Sequence, residues 1–146
     1  AEDPDTIVVS LAAGRIGHAF PTGDMFRRLE VRARVSGSEG APALAALVAP
    51  PVVLARTFLM MPGPKGILRQ QTGDDRLPSS GEPREVELVF PLPVDGRVVR
   101  WEVAYQRMDA PMAALFGVDP AQDEILVAEG VLLPAAPRRS PPPPPK

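Results

Sequence analysis

The chain has 146 residues, with 16 basic and 18 acidic side chains, one histidine and no cysteine, a size that predicts one ordinary domain. Without cysteine there is no disulfide, no zinc site built on thiolates, no iron–sulfur cluster and no covalent haem attachment within this chain. The formal net charge of -2 argues against nucleic acid as a partner, because nucleic-acid-binding surfaces carry a clustered basic excess.

Short strands are predicted along most of the chain, since its 20 prolines leave little room for long helices. Asp95-Gly96 lies between two alternating segments at a point where a hairpin turn needs positive φ, so we expect those segments to pair as antiparallel neighbours. Trp101 and Tyr105 share an apolar face with Val99 and Val103 and are expected to anchor the core. Alternation of apolar and polar residues predicts strands over residues 6–12, 26–35, 52–60, 84–90, 98–105 and 124–131, with a short edge strand over 67–71.

One short helix is predicted over residues 110–117, with Asp109 near its N-cap and Gly117 at its end. Together these elements predict an all-β fold, an immunoglobulin-like antiparallel β-sandwich of about seven strands. No apolar run reaches the roughly 18 residues that a transmembrane helix needs.

Residues 1–133 are predicted to form the sandwich domain, and residues 134–146 a disordered, proline-rich C-terminal tail. Five consecutive prolines at 141–145 favour an extended polyproline II conformation. The run fits the aromatic-lined groove of a proline-recognition domain, and a plain spacer explains the same composition, so both roles stay open.

The segment Gly-His-Ala-Phe-Pro-Thr-Gly-Asp, residues 17–24, separates the first two predicted strands. Pro21 restricts its own φ and the conformation of Phe20, while Gly23 can take positive φ, so the loop is expected to have one defined shape. Such a loop holds the His18 imidazole in a fixed direction, as a ligand for haem iron, copper or zinc requires. On composition alone, a structural or simply exposed histidine is the simpler interpretation.

The same segment, followed by Phe-Arg-Arg-Leu-Glu-Val at residues 26–31, resembles the H-x-F-P-T-G segment in the β-sandwich region of multihaem c-type cytochromes. A second block is similar in order and spacing to the C-terminal part of those proteins: Asp-Arg-Leu-Pro at 75–78, the strand at 84–90, and residues 103–119 with 124–129. The resemblance spans residues 6–133.

The resemblance implies a haem-associated electron-transfer role in the periplasm or cell envelope, with His18 as a distal axial ligand to haem c. The cofactor-binding residues would be His18, Phe20, Pro21, Thr22, Gly23 and Arg27, with Arg27 near a propionate. Phe20 would lie against the porphyrin edge, and a role as an apolar plug of the core beneath the loop stays open for it. The family attaches its haems through C-x-x-C-H motifs, and this sequence has none. The haem must therefore be carried by another segment or a partner subunit, whose own histidine would complete bis-imidazole ligation.

No nucleophile elbow, phosphate-binding loop or dinucleotide fingerprint is present, so we do not expect an enzyme. Asp74-Asp75 is interpreted as a solvated loop, and Asp24 with Arg27 or Arg28 as a surface ion pair. Met60, Met61 and Met108 are weaker candidates for iron ligands. Two alternatives to the haem role stay open: a haem-free structural or protein-interaction sandwich, and a copper-binding envelope protein using His18. The chain begins AEDPDT, without the basic and apolar pattern of a signal peptide, so we expect no export signal within these residues.

Overall fold

The computed structural model describes residues 5–14, 17–23, 26–35, 48–91, 94, 97–119 and 122–133. Within these ranges the chain forms eight strands and one helix. They are β1 (Thr6–Leu11), β2 (Arg28–Val35), β3 (Val52–Leu54), β4 (Arg56–Gly63), β5 (Gly66–Asp74), β6 (Arg84–Val89), β7 (Val99–Gln106), α1 (Ala110–Leu115) and β8 (Glu124–Leu132).

All described strand pairs are antiparallel. One sheet has the order β3-β2-β7-β8, a second consists of β1 and β6, and β4 and β5 form a separate two-stranded hairpin. The β1–β6 sheet packs over β2 and β3 through β6. This arrangement confirms the predicted all-β antiparallel sandwich with one short helix.

The core lies between the four-stranded sheet and the β1–β6 sheet, because β2, β6 and β7 alternate and turn their buried apolar residues toward the space between the two sheets. In β2, Leu29, Val31, Ala33 and Val35 are buried while the intervening residues are more accessible, which is the period of two that the sequence shows. Trp101 and Tyr105 are half-buried and pack against this core, as predicted. The largest fully buried side chains are Phe90, Leu29, Leu54, Leu88, Val31, Val35, Val103 and Pro21.

The outer face of the four-stranded sheet carries a charged network centred on Arg32. Its guanidinium donates to Glu102 Oε2 at 3.0 Å and to both carboxylate oxygens of Glu124. Gln106 Nε2 donates to Glu124 at 2.9 Å, and Arg28 Nε donates to Gln106 at 2.7 Å. The hydrogen bonds from Arg32 hold the pKa of the Glu124 carboxyl below its usual range. The alternating charges of β2 therefore stabilise the outside of the sheet by cross-strand pairing.

The helix follows its predicted signals. The Asp109 side chain accepts a hydrogen bond of 2.8 Å from the backbone N–H of Met112, which satisfies one of the free N–H groups of the first turn. Gly117 adopts a φ of 66° just beyond the last turn and ends the helix.

One expectation about strand pairing and one about the extent of a strand are wrong. The strands at 84–90 and 98–105 are not neighbours: β6 pairs with β1, and β7 pairs with β2 and β8. Both strands alternate, but they belong to opposite sheets, and pairing preference is decided by the partner strand and not by the strand's own pattern. Residues 95 and 96 lie outside the described part of the chain.

The segment 52–60 is also not one strand. The chain bends at Ala55, so that β3 joins the four-stranded sheet and β4 leaves it to pair with β5. The short edge strand expected at 67–71 is the longer β5. The glycines of Pro-Gly-Pro-Lys-Gly, residues 62–66, close the β4–β5 hairpin, with Gly63 opposite Gly66. The tail 134–146 lies outside the described residues, so the domain division at residue 133 stays a prediction.

Candidate functional site

The segment that carries the candidate ligand connects β1 to β2, and residues 17–23 of it are described. Phe20 forms an isolated antiparallel bridge with Leu77. The Phe20 N–H donates to Leu77 O at 3.0 Å, and the Leu77 N–H donates to Phe20 O at 2.8 Å. The Phe20–Pro21 peptide bond is cis, and Pro21 is buried. The centre of the loop is thus fixed to the body of the domain.

Three arginines hold the rest of the loop through its backbone. Arg76 Nη1 donates to Pro21 O at 3.4 Å, and Arg27 Nη1 donates to Thr22 O at 3.2 Å. Arg56 donates to Gly23 O. Three successive carbonyl groups therefore each accept a hydrogen bond from a different guanidinium. The segment after His18 is held by these contacts as well as by its proline.

Gly23 has a structural requirement of its own. Its φ is 91°, and a Cβ built there would lie 2.8 Å from Arg27 Nη1 and 2.9 Å from Arg27 Cζ. The guanidinium of Arg27 lies directly over the glycine, where any side chain would displace it. The glycine of the H-x-F-P-T-G segment thus makes room for one of the arginines that hold the loop.

One of these arginines, Arg76, is in turn held by a carboxylate at the base of the hairpin. Arg76 and Asp74 form a bidentate ion pair, in which Arg76 Nε donates to Asp74 Oδ1 at 2.7 Å and Arg76 Nη2 donates to Asp74 Oδ2 at 2.6 Å. These bonds keep the pKa of the Asp74 carboxyl below its usual range. Asp74 is also the cross-strand partner of Arg56 in the β4–β5 pair. The base of the hairpin and the His18 loop therefore form one connected structure.

Both residues of the Asp74-Asp75 pair are exposed, as expected of a solvated loop, but Asp74 belongs to β5 and each carboxylate binds an arginine. Asp74 is the last residue of β5 and binds Arg76, and Asp75 Oδ1 accepts a 3.1 Å bond from Arg84 Nη2. The expected surface ion pair of Asp24 cannot be located, because Asp24 lies outside the described residues. Arg28, its other expected partner, binds Gln106 and lies 3.8 Å from Asp109.

Beside the loop, the inner face of the four-stranded sheet is incompletely covered. The second sheet has only two strands, whereas the first has four, and its strand β6 packs over β2 and β3. An open groove of about 310 Å³ is left along the inner side of β7 and β8. It is lined by Leu11, Ala12, Ala13, Phe20, Leu29, Leu77, Val103, Val127 and Ala128.

Phe20 joins this groove to the loop. Its ring stacks on Tyr105, with centroids 6.0 Å apart and an interplanar angle of 27°, and both residues pack against the core while remaining half-buried. Val127 is an extra residue in β8, because Val103 pairs with Ala128 and Ala104 pairs with Leu126. This bulge places Val127 at the border of the groove.

His18 lies two residues before Phe20, which limits the separation of their Cα atoms to about 7 Å. The side chain is exposed, and none of the described residues hydrogen-bonds to its ring. The imidazole is therefore exposed, on a segment whose Phe20, two residues further on, lines the apolar groove. It is the only histidine of the chain, and no group of three or more potential metal-ligating side chains is found among the described residues.

This arrangement fits one axial ligand and an apolar contact for a porphyrin, and it does not fit covalent attachment, since the sequence has no cysteine. Arg27, expected near a propionate, donates to the loop instead, although a guanidinium has further N–H donors. Met60 and Met61 lie on β4 of the hairpin, and Met108 follows β7. The ligand roles of His18 and of the other residues named from the motif stay predictions.

Sequence reasoning missed Arg56, Arg76 and the groove. The signal that existed was an unusual density of arginine, but a guanidinium that binds a backbone carbonyl far along the chain leaves no local pattern. The groove depends on how many strands each sheet contains, which alternation within a strand does not specify.

The domain shares its fold with part of a multihaem cytochrome. No protein-family model matches the chain, and no curated protein matches it. Among solved structures, it is similar to a penta-haem cytochrome c552 from Thermochromatium tepidum, with a TM-score of 0.64 and 21% sequence identity over 91% of this chain. The match spans 37% of that cytochrome chain. Among the described residues of the present chain, no helix has the length and apolar character to cross a membrane.

Proposed function

We propose that this chain is a haem-associated electron-transfer domain of the cell envelope that supplies His18 as the distal axial ligand to a haem c carried by another segment or subunit. The observation that carries the proposal is an exposed imidazole on a loop held by three guanidinium groups, next to an apolar groove. The fold shared with part of a penta-haem cytochrome supports it.

The loop contacts suit the role of an axial ligand. An imidazole binds iron best when its position is fixed before the metal arrives, because little further conformational entropy is then lost on binding. The bridge from Phe20 to Leu77 and the arginine contacts at Pro21, Thr22 and Gly23 provide this order. His18 itself remains exposed, so a partner can approach it.

The groove suits the flat apolar part of a porphyrin. Phe20 offers an aromatic side chain at its border, with Tyr105 stacked behind it. A haem held between two histidines has no open coordination position for oxygen or substrate, which favours electron transfer over catalysis. The chain would thus contribute a ligand and an apolar contact, and no catalytic group.

The proposal is tested with a haem c undecapeptide that keeps its proximal histidine and leaves the distal position to water. We expect titration with the protein to convert the high-spin spectrum to the low-spin spectrum of bis-histidine ligation. Because the chain has one histidine, His18→Ala should abolish the change, while Met60→Ala should preserve it. An identical spectral change with His18→Ala, or no change with the wild-type protein, would exclude His18 as a ligand and leave a haem-free structural module.

A further inference from the structure

The β4–β5 hairpin exposes apolar and cationic side chains together on one face. Residues directly opposite in an antiparallel pair share a face, and β4 and β5 pair Met60 with Arg69, and Pro62 with Ile67. Ile67 is 69% exposed and Met60 is 46% exposed. We call this surface the hairpin face; its members are Phe58, Met60, Pro62, Ile67, Arg69 and Gln71.

Beyond Arg56 and Asp74 at its base, the charged side chains of the β4–β5 hairpin are all positive. No acidic residue occurs between positions 57 and 73, while Lys65 lies in the turn and Arg69 in β5. Neither cation has an ion-pair partner among the described residues. The hairpin thus presents unpaired positive charge beside exposed apolar groups.

A second surface of the same chain has the opposite charge. In the β1–β6 sheet, Val9, Val86 and Leu88 face the core and are buried, while the alternate residues face outward. Val8, 53% exposed, is opposite Glu87, and Ser10 is opposite Glu85. We call this outward surface the acidic face; its members are Thr6, Val8, Ser10, Glu85, Glu87 and Val89.

The acidic face also lacks internal neutralisation. Glu85 and Glu87 have no ion-pair partner among the residues that the structure describes. Val89, opposite Thr6, is 43% exposed. Both surfaces are two-stranded antiparallel ribbons, and each places a charged residue opposite an exposed apolar residue in its central row: Arg69 with Met60, and Glu87 with Val8.

We propose that the hairpin face of one copy of this chain packs on the acidic face of a second copy. In the packed pair, Arg69 of one copy lies against Glu87 of the other, and Met60 lies against Val8. Sheets stack face to face about 10 Å apart, a distance that interdigitated side chains of this size fill. This pairing sets the relative direction of the two ribbons, because reversing one of them would place Arg69 against Val8 and Met60 against Glu87.

The second copy is favoured over another partner because both members of the complementary pair lie on one chain. Each copy carries both surfaces. Two copies that exchange the contact reciprocally about a two-fold axis close into a dimer, whereas a one-way contact is heterologous and extends into a ring or a chain of copies. Most of the apolar groups involved are partly exposed, and the charges lie at the surface, so we expect a reversible association weakened by salt.

The test is sedimentation of the full chain over a range of protein and salt concentrations. We expect Arg69→Glu and Glu87→Arg each to weaken self-association by at least about tenfold, because each places like charges in contact. An equimolar mixture of the two variants should associate, and the double variant R69E/E87R should recover self-association. Arg100→Glu and Glu129→Arg make the same charge changes on the four-stranded sheet and should have no such effect.

The results of these experiments distinguish a second copy of this chain from a lipid surface as the partner of the hairpin face. A wild-type chain that stays monomeric, or an association that both reversals leave unchanged, overturns the proposal. So does a monomer that instead binds vesicles containing phosphatidylglycerol through Arg69, since the hairpin would then serve a lipid surface. Far-ultraviolet circular dichroism of each variant verifies that lost association is not lost folding. His18 takes no part in this contact, so the result is independent of the proposed haem role.

Discussion

Replacement of Gly130 by alanine tests how the edge of the four-stranded sheet is packed. Gly130 of β8 is the cross-strand partner of Trp101 in β7. A Cβ built at Gly130 would lie 2.5 Å from Cε2 and 2.5 Å from Cζ2 of the indole. The indole therefore lies directly on the glycine, and Gly130→Ala must displace it, because neither strand backbone can yield that far without losing its ladder.

The expected cost follows from the burial of the indole. Complete removal of a buried tryptophan side chain costs about 3–5 kcal/mol, and Trp101 is half-buried against the core, so its displacement should cost about 2 kcal/mol. Replacing a glycine within a strand stabilises the folded state by about 0.5–1 kcal/mol, because the unfolded chain then has less backbone conformational entropy to lose. The net effect is a loss of about 1–1.5 kcal/mol, which corresponds to a melting temperature lower by about 5 °C for a domain of this size.

The assay is urea unfolding followed by tryptophan fluorescence, since Trp101 is the only tryptophan. Gly130→Ala should lower the free energy of unfolding and shift the native emission to longer wavelength as the indole becomes exposed. In a Trp101→Ala background, Gly130→Ala should be neutral or stabilising, because the clash is gone. A destabilisation of equal size in both backgrounds, or an unchanged native emission, would refute this account of the packing.

Two further predictions concern the charged contacts. The hydrogen bonds from Arg32 lower the pKa of Glu124, so their stabilisation is complete above the ordinary glutamate pKa of about 4.3 and is lost as the pH falls through the lower pKa of the folded state. Glu124→Gln should therefore be less stable than wild type at pH 7 and lose less stability between pH 7 and about pH 3 in urea unfolding; parallel losses would contradict the assignment. Arg56→Ala removes a hydrogen bond to Gly23 O and a contact 5.4 Å from the Phe58 ring centroid. It should cost under about 1 kcal/mol in stability but raise the midpoint of the haem c peptide titration severalfold, and Arg100→Ala should not; equal midpoints would show that the arginine contacts do not order the loop.

Much of the fold was predictable because the determinants of strands are local. The alternation in β2 and β7 assigns their buried faces directly, since side-chain direction in a strand has a period of two. The Asp109 cap and Gly117 mark the helix for a similar reason, as each satisfies or ends a turn through its own neighbours.

Pairing was not predictable in the same way. β6 alternates as well as β7 does, and nothing in either strand says which sheet it joins. The bend at Ala55, which sends β4 out of the sandwich, is likewise decided by the competition between partner strands. Such choices depend on contacts between segments far apart in the chain.

The sequence by itself determined that an imidazole follows β1 on a loop restricted by Pro21, and that no cysteine accompanies it. Only the tertiary structure decided that this imidazole is exposed, that Arg27, Arg56 and Arg76 hold the loop, and that an apolar groove lies beside it. The physical reason is that the covalent structure of a residue limits its own φ. The exposure of a side chain, the hydrogen-bond partners of the loop carbonyls and the uncovered face of a sheet are set only when strands distant in the chain pack together.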